Sequence, residues 1–108
     1  MNTESVIIPE KQNLKELLSY QKGSVVSSVL LKKTTGNITV FAFDEGEGLS
    51  EHTTPFDAMV YIIEGKAEIT ISSKVNIVSE GEMLILPANQ PHALKAITKY
   101  KMMLVMLK

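Results

Sequence analysis

The stretch that decides the fold is HTTPFDAMVYIIEG, residues 52–65. It starts at His52, one of two histidines in the chain, and becomes an apolar strand that ends at an acidic residue and a glycine. A second stretch, GEMLILPANQPH at residues 81–92, carries the other histidine, His92, at the end of another apolar strand. The function depends on whether these two histidines meet, and on which side chains stand beside them.

Around these stretches, the chain from residue 24 onward has the pattern of short strands. Runs rich in β-branched and apolar residues alternate with turn residues, and no long helical pattern separates them. Close spacing of this kind indicates an all-β antiparallel sandwich or barrel over residues 24–108. The predicted strands are residues 25–31, 38–43, 56–63, 66–72, 75–78, 83–86, 92–97 and 100–107.

The first 23 residues are predicted to form a short strand and a short helix. A β-prone run at residues 6–8 comes first. Asn13 and Glu16 then resemble a capping box, with leucines following at helical spacing. Gly23 would end a helix of about two turns. We expect this helix to be a lid or a packing element of the barrel, and residues 1–108 to form one domain.

Composition narrows the class of protein. The chain has 108 residues, which is room for one domain with one core. It has no cysteine, which excludes disulfides and thiolate metal ligands and fits a cytoplasmic location. The first residues lack the basic start and apolar run of a signal peptide. No apolar stretch approaches the roughly 20 residues that a membrane helix needs, so we expect no membrane partner.

Charge argues against a nucleic-acid partner. The formal net charge is −1, and every basic residue is lysine. Arginine is the residue that best makes forked contacts to phosphate and guanine. A near-neutral chain without arginine is therefore a poor nucleic-acid binder.

Two predicted strands do not alternate between apolar and polar residues. Residues 62–63 and 102–107 are apolar at successive positions. Strands of this kind are usually covered on both faces. In a domain of this size the second cover could come from another subunit, so we expect a homodimer.

Residue parity predicts a pocket between the two histidines. In an extended strand, residues two apart share a face. If both histidines face the interior, the side chains beside them are mostly small or apolar. The sequence therefore predicts an apolar pocket that carries two imidazoles. Its predicted lining is His52, Thr54, Ala58, Val60, Ile62, His92 and Leu94.

The spacing around the first histidine resembles the first motif of the cupins. That motif is a glycine, five residues, His-x-His, three or four residues, Glu, six residues and a glycine. Gly46, His52 and Gly65 stand at its intervals. Thr54 replaces the second histidine of the motif, and Ala58 replaces its glutamate.

The second stretch resembles the second cupin motif, which runs glycine, five residues, Pro-x-Gly, two residues, His, three residues and Asn. Gly81, Pro87 and His92 match it, while Asn89 and Ala96 depart from it. The resemblance covers about residues 38–97. It implies a small single-domain cupin with a double-stranded β-helix, the jelly-roll barrel, usually as a dimer.

The resemblance also implies a divalent metal, because cupins typically hold one with three histidines and a glutamate. This chain keeps His52 and His92 as tentative metal ligands. Two imidazoles alone should hold nickel, zinc, iron or manganese weakly. A third donor could come from Asp57, Glu51 or the Thr54 hydroxyl, although the parity of both acidic residues points them away from His52.

Several functions remain open from the sequence. The preferred one is a cupin barrel that binds a small, largely apolar molecule in its interior, with or without a weakly held metal at His52 and His92. The alternative that the resemblance implies is a metal-dependent dioxygenase, isomerase or decarboxylase. A third is a metal-free enzyme in which one histidine is a general base. A structural module without a ligand is the last.

Overall fold

The structure is a computed structural model that describes residues 9–108. The strand expected at residues 6–8 lies outside the described residues. A 3₁₀ turn at Leu14–Glu16 precedes the barrel. The strands are β1 (Val25–Lys33), β2 (Gly36–Phe43), β3 (Gly48–His52), β4 (Asp57–Glu64), β5 (Lys66–Ile71), β6 (Lys74–Ser79), β7 (Met83–Leu86), β8 (His92–Ala96) and β9 (Tyr100–Leu107).

These strands form two antiparallel sheets, which confirms the all-β jelly roll expected from the sequence. One sheet has the order β1-β2-β9-β4-β7, and the other has the order β3-β8-β5-β6. The buried core includes inward-facing residues of both sheets, such as Val60 and Ile62 from the first and Ile69 from the second. Phe43 and Tyr100 stack within it, with ring centroids 4.5 Å apart.

Gly65 forms the corner between β4 and β5. Its φ is +84°, in the left-handed region that favours glycine. A Cβ placed there would lie 2.1 Å from the carbonyl oxygen of Lys99. The chain can turn this closely against the start of β9 because the corner carries no side chain.

Strand β3 was not predicted from the sequence. Its residues, GLSEH, show no apolar alternation, and four of the five are exposed. Pairing with β8 holds it instead, in the register Gly48↔Lys95, Leu49↔Leu94 and His52↔His92. The register shifts between Leu49 and His52. Such an irregularity re-aims side chains, and here both residues face the interior although they are three positions apart.

The two-turn helix expected near the N-terminus is wrong, because only the 3₁₀ turn forms. A helix of two turns is too short to be stable without tertiary support. In an α-helix the carbonyl of Lys15 would accept from an N–H four residues later, but here it accepts from the Lys101 ammonium. Asn13 does cap the turn, by accepting from the Lys15 N–H at 3.0 Å. Within residues 9–108, no helix is long and apolar enough to cross a membrane.

Candidate functional site

The two histidines meet at one end of the barrel. His52 ends β3, His92 begins β8, and the two residues are paired across these neighbouring strands. Their Nε2 atoms are 3.1 Å apart. The ring centroids are 4.4 Å apart and the ring planes make an angle of 68°. The pair therefore presents two ring nitrogens to one point.

Backbone carbonyls determine which ring nitrogens carry protons. The Nδ1 atom of His52 lies 2.7 Å from the carbonyl oxygen of Ser50, and that of His92 lies 3.2 Å from the carbonyl oxygen of Gln90. A carbonyl oxygen only accepts, so each Nδ1 must be the donor. In its neutral form each imidazole then has a lone pair on Nε2. The two lone pairs converge.

Burial distinguishes the two rings. His92 is 7% exposed, whereas His52 is exposed at the mouth of the site. Burial lowers the pKa of His92 because it disfavours the charged imidazolium, and the nearby His52 lowers it further. The hydrogen bond to the Gln90 carbonyl acts in the opposite direction. Because the lowering effects are larger, the pKa of His92 lies below its ordinary value.

A small cavity of about 40 Å³ lies beneath the pair. A water molecule needs about 10–15 Å³ by this measure, so the space holds about three water-sized atoms. Sites for drug-sized ligands are about 300–1,000 Å³. The interior is therefore neither filled solid nor roomy. The lining residues are Leu49, His52, Thr54, Ala58, Val60, Leu86, His92, Leu94, Met102, Leu104 and Met106.

Six of the seven residues predicted for the pocket lie around this cavity. The seventh, Ile62, is fully buried in the core, because β4 continues away from the mouth. The sequence prediction missed Leu49, Leu86 and three residues of β9. The β9 residues have one parity, at positions 102, 104 and 106, and this spacing was the signal that they share a face.

Parity along one strand does not explain the pocket. His52 and Ala58 have the same parity, but they do not belong to one strand. His52 lies on the four-stranded sheet and Ala58 on the five-stranded sheet, with residues 53–56 crossing between them. The facing of the two sheets, rather than parity along one strand, brings these residues to the same cavity.

The turn before β8 positions His92. Asn89 stands where the second motif has glycine, and its φ of +66° shows why the position is restrictive. Asparagine tolerates this left-handed conformation better than most residues. The Asn89 N–H donates to the carbonyl of Thr54 at 2.7 Å. The Ala88 N–H donates to the Asp57 carboxylate at 2.9 Å. Asp57 therefore braces this turn.

The residues at the site do not fit a catalytic metal centre. Both Nε2 atoms could approach one ion, but catalytic zinc sites normally have three protein ligands. Among residues 9–108, no group of three or more histidine, aspartate or glutamate side chains comes together. The Thr54 hydroxyl donates to the carbonyl of Phe56 at 3.2 Å, and Ala58 has no donor atom. Two hydrogen-bond acceptors at the mouth of an apolar cavity remain.

A family model described as "Cupin domain" matches residues 39–108. A conserved protein of unknown function from Streptococcus pyogenes is 34% identical, with a TM-score of 0.91 over 97% of this chain and 92% of its own. A cupin 2 conserved barrel domain protein from Leptotrichia buccalis is 38% identical, with a TM-score of 0.87. That match covers 90% of this chain and 47% of the other, so this chain spans about half of it. No curated protein matches.

Proposed function

This chain belongs to the cupin family, and on that premise we propose that its barrel binds a small, largely apolar molecule beside the His52–His92 pair. The observation that supports this most is the apolar cavity that the two sheets leave beneath the imidazoles. Ligand sites combine an apolar lining with a few convergent polar groups. Here the convergent groups are the two Nε2 atoms, 3.1 Å apart.

The size of the cavity limits what can enter. With about 40 Å³ beneath the mouth, the bound part has about three non-hydrogen atoms. The ligand is then either a molecule of this size or a larger one that inserts a short apolar end. Four lining side chains are flexible or small enough to adapt, namely Ala58, Met102, Leu104 and Met106.

A metal-dependent enzyme is the less supported alternative. A dioxygenase, isomerase or decarboxylase of the type that the family resemblance suggests would need further donors beside His52 and His92. A weakly held divalent metal at this pair stays a prediction. Elemental analysis of untagged protein, before and after incubation with nickel, zinc, iron or manganese, tests it. One ion per chain after dialysis would favour the enzyme, and substoichiometric metal would disfavour it.

Xenon tests the cavity without assuming a ligand, because xenon enters dry apolar cavities. We expect one xenon atom beneath the histidines in crystals pressurised with the gas. Ala58→Val fills the space from the β4 side and should abolish the site. Ala93→Val is the matched control, since Ala93 is on β8 but does not line the cavity. A wild-type cavity without xenon would contradict the proposal.

Self-association is the second part of the proposal, and the outer face of the five-stranded sheet supports it. Residues that pair across the neighbouring strands β2, β9, β4 and β7 form rows on this face. Two such rows consist of apolar residues throughout. Met83 and Ile85, at one edge, are each 48% exposed. Methionine and tyrosine are enriched at protein interfaces, and charged residues are depleted. The rows are Ile38, Val105, Met59 and Ile85, then Val40, Met103, Tyr61 and Met83.

Within residues 9–108, the contacts of the chain itself cover only part of this face, and Val40 of the second row is 1% exposed. At the Glu64 end, Tyr20 donates to the Glu64 carboxylate at 2.6 Å and Lys101 donates to the carbonyl of Lys15. Ala42, the cross-strand partner of Lys101, is fully buried. At the other end, Leu107 is 62% exposed.

Strands lie about 4.8 Å apart and rise about 3.4 Å per residue, so the two apolar rows across four strands span roughly 260 Å². A specific interface buries about 1,000 Å² in total, so neighbouring exposed residues such as Leu107 would have to take part in it. We infer that a second copy of this chain covers this face. Light scattering at micromolar concentration should give twice the chain mass, and a single chain mass would contradict the inference. The cytoplasmic location expected from the sequence stays a prediction.

A further inference from the structure

We propose that the histidine pair selects a ligand whose head group is a hydrogen-bond donor, a hydroxyl or an amino group. The donor would be received by the Nε2 atoms of both His52 and His92, with its short alkyl chain in the cavity. This inference rests on the proposed function and adds the chemistry of the head group. It differs from the metal binding that the family resemblance implies, because the donor set does not fit a metal centre.

The donor pattern of the rings carries this inference. Each Nδ1–H is committed to a backbone carbonyl, of Ser50 for His52 and of Gln90 for His92. Rotating either ring by 180° would place a C–H opposite that carbonyl and lose the hydrogen bond. The backbone of β3 and of the turn before β8 therefore fixes both orientations. Each neutral ring has then one remaining polar atom, an acceptor.

Two acceptors at 3.1 Å repel one another unless something positive or proton-bearing joins them. A hydroxyl can share its proton between both nitrogens, and an amino group can give one N–H to each. A carboxylate is acceptor-only when ionised and would add a third set of lone pairs. Burying a polar group without a hydrogen-bond partner costs binding free energy. The site should thus accept alcohols and amines and reject carboxylates of the same length.

A proton held between the two Nε2 atoms is the main rival to a ligand donor. It would convert one neutral ring to an imidazolium, in which both ring nitrogens are donors. Nitrogen-15 NMR separates the two cases, because the chain has two histidines to assign. We expect the proton on Nδ1 of each ring, facing its backbone carbonyl, and none on Nε2. An Nε2–H on either neutral ring, or an imidazolium signal, would overturn the inference.

Binding of matched probes gives the second test. Propan-1-ol, propylamine, propionate and 1-chloropropane share a three-carbon chain and differ at the head group. With EDTA present, we expect propan-1-ol or propylamine to bind at least about tenfold more tightly than propionate and 1-chloropropane, since the head group must satisfy two acceptors, of which the one on His92 is buried. The comparison of alcohol with amine shows which donor is preferred.

The variant His52→Leu removes one acceptor at the exposed mouth, where a change should be tolerated. In this variant we expect the tenfold preference to disappear. Equal affinities of all four probes for the wild type, with xenon bound, would overturn the donor inference and leave the proposed function standing. Failure of xenon to bind the wild type would overturn the proposed function itself.

Discussion

The inner and outer faces of strand β9 have the same kind of side chain but differ in what lies against them. Met102, Leu104 and Met106 face the four-stranded sheet and line the cavity beneath the histidines. Met103 and Val105 point the other way, into the apolar rows of the outer face. Successive apolar residues therefore contribute to two different surfaces, one inside the barrel and one outside.

The outer face of the four-stranded sheet shows what an ordinary solvent-facing surface of this protein looks like. Glu68 pairs with Lys95 on one side and Ile77 on the other, and Thr70 stands between Ala93 and Val75. Polar and charged residues interrupt the apolar ones there. The rows on the five-stranded sheet have no such interruption, which is the reason to assign them a partner.

The largest expected effect comes from placing a carboxylate on either face of β4. Val60 is fully buried, and its neighbour Met59 lies on the outer face. Val60→Asp should lower the free energy of unfolding by about 4 kcal/mol or more, because the charge has no partner in the core. Met59→Asp should keep the fold and halve the mass in solution. Urea unfolding and light scattering measure the two results.

Thr70→Asp is the control for that pair, since it adds the same charge to the polar outer face of the other sheet. It should change neither the fold nor the mass. A dimer that survives Met59→Asp would show that the two outer faces do not differ in the way proposed.

The next effect concerns the part of the outer face that the chain covers itself. Tyr20→Phe removes the 2.6 Å hydrogen bond to the Glu64 carboxylate. Hydrogen bonds to charged groups contribute about 1.5–3 kcal/mol, so we expect a loss near the lower end because the contact is only partly buried. Chemical denaturation measures it. Amide exchange should become faster in residues 14–20 and stay unchanged in β5. Uniform loosening of the barrel would contradict this.

A smaller effect is expected when the cavity is filled. Ala58→Val adds apolar atoms where about 40 Å³ is free, so the free energy of unfolding should change by less than about 1.5 kcal/mol. The same change at Ala93 lies outside the cavity. A large loss at Ala58 would mean that the interior is already close-packed and that the inner face has no room for a ligand.

The smallest effect is a pH dependence that arises inside the barrel. Burial lowers the pKa of His92 below its ordinary value near 6.5. His92 has a lower pKa in the folded protein than in the unfolded chain. Between these two pKa values the unfolded chain binds more protons than the folded protein, so the stability is full above about pH 6.5 and falls as the pH drops. His92→Asn should remove this slope between pH 7 and pH 5, measured by thermal unfolding. Parallel curves for the two proteins would contradict it.

Most of the fold was predictable because apolar runs and turn residues mark the strands of both sheets. Strands β7 and β9 begin and end where the sequence predicts. β3 was not predictable, because its residues are polar and exposed and only pairing with β8 keeps it extended. The N-terminal helix was overpredicted since local pattern cannot show that Lys101 would take a helix carbonyl.

The sequence predicted which residues belong to the candidate site better than it predicted how they are arranged. Motif spacing predicted that His52 and His92 share a pocket, and the structure places their Nε2 atoms 3.1 Å apart. Parity could not show that His52 and Ala58 lie on different sheets, since that depends on the crossing at residues 53–56. It also could not reveal the carbonyl partners that orient the rings, because these arise from the backbone of β3 and of the turn before β8.

A crystal structure of the metal-free protein soaked in propan-1-ol shows directly whether the barrel binds a short alcohol beside the histidine pair. We expect one alcohol molecule with its chain in the cavity between the sheets and its hydroxyl within hydrogen-bond distance of Nε2 of both His52 and His92. A barrel closed by its own side chains, with no alcohol beneath the histidines, would contradict it.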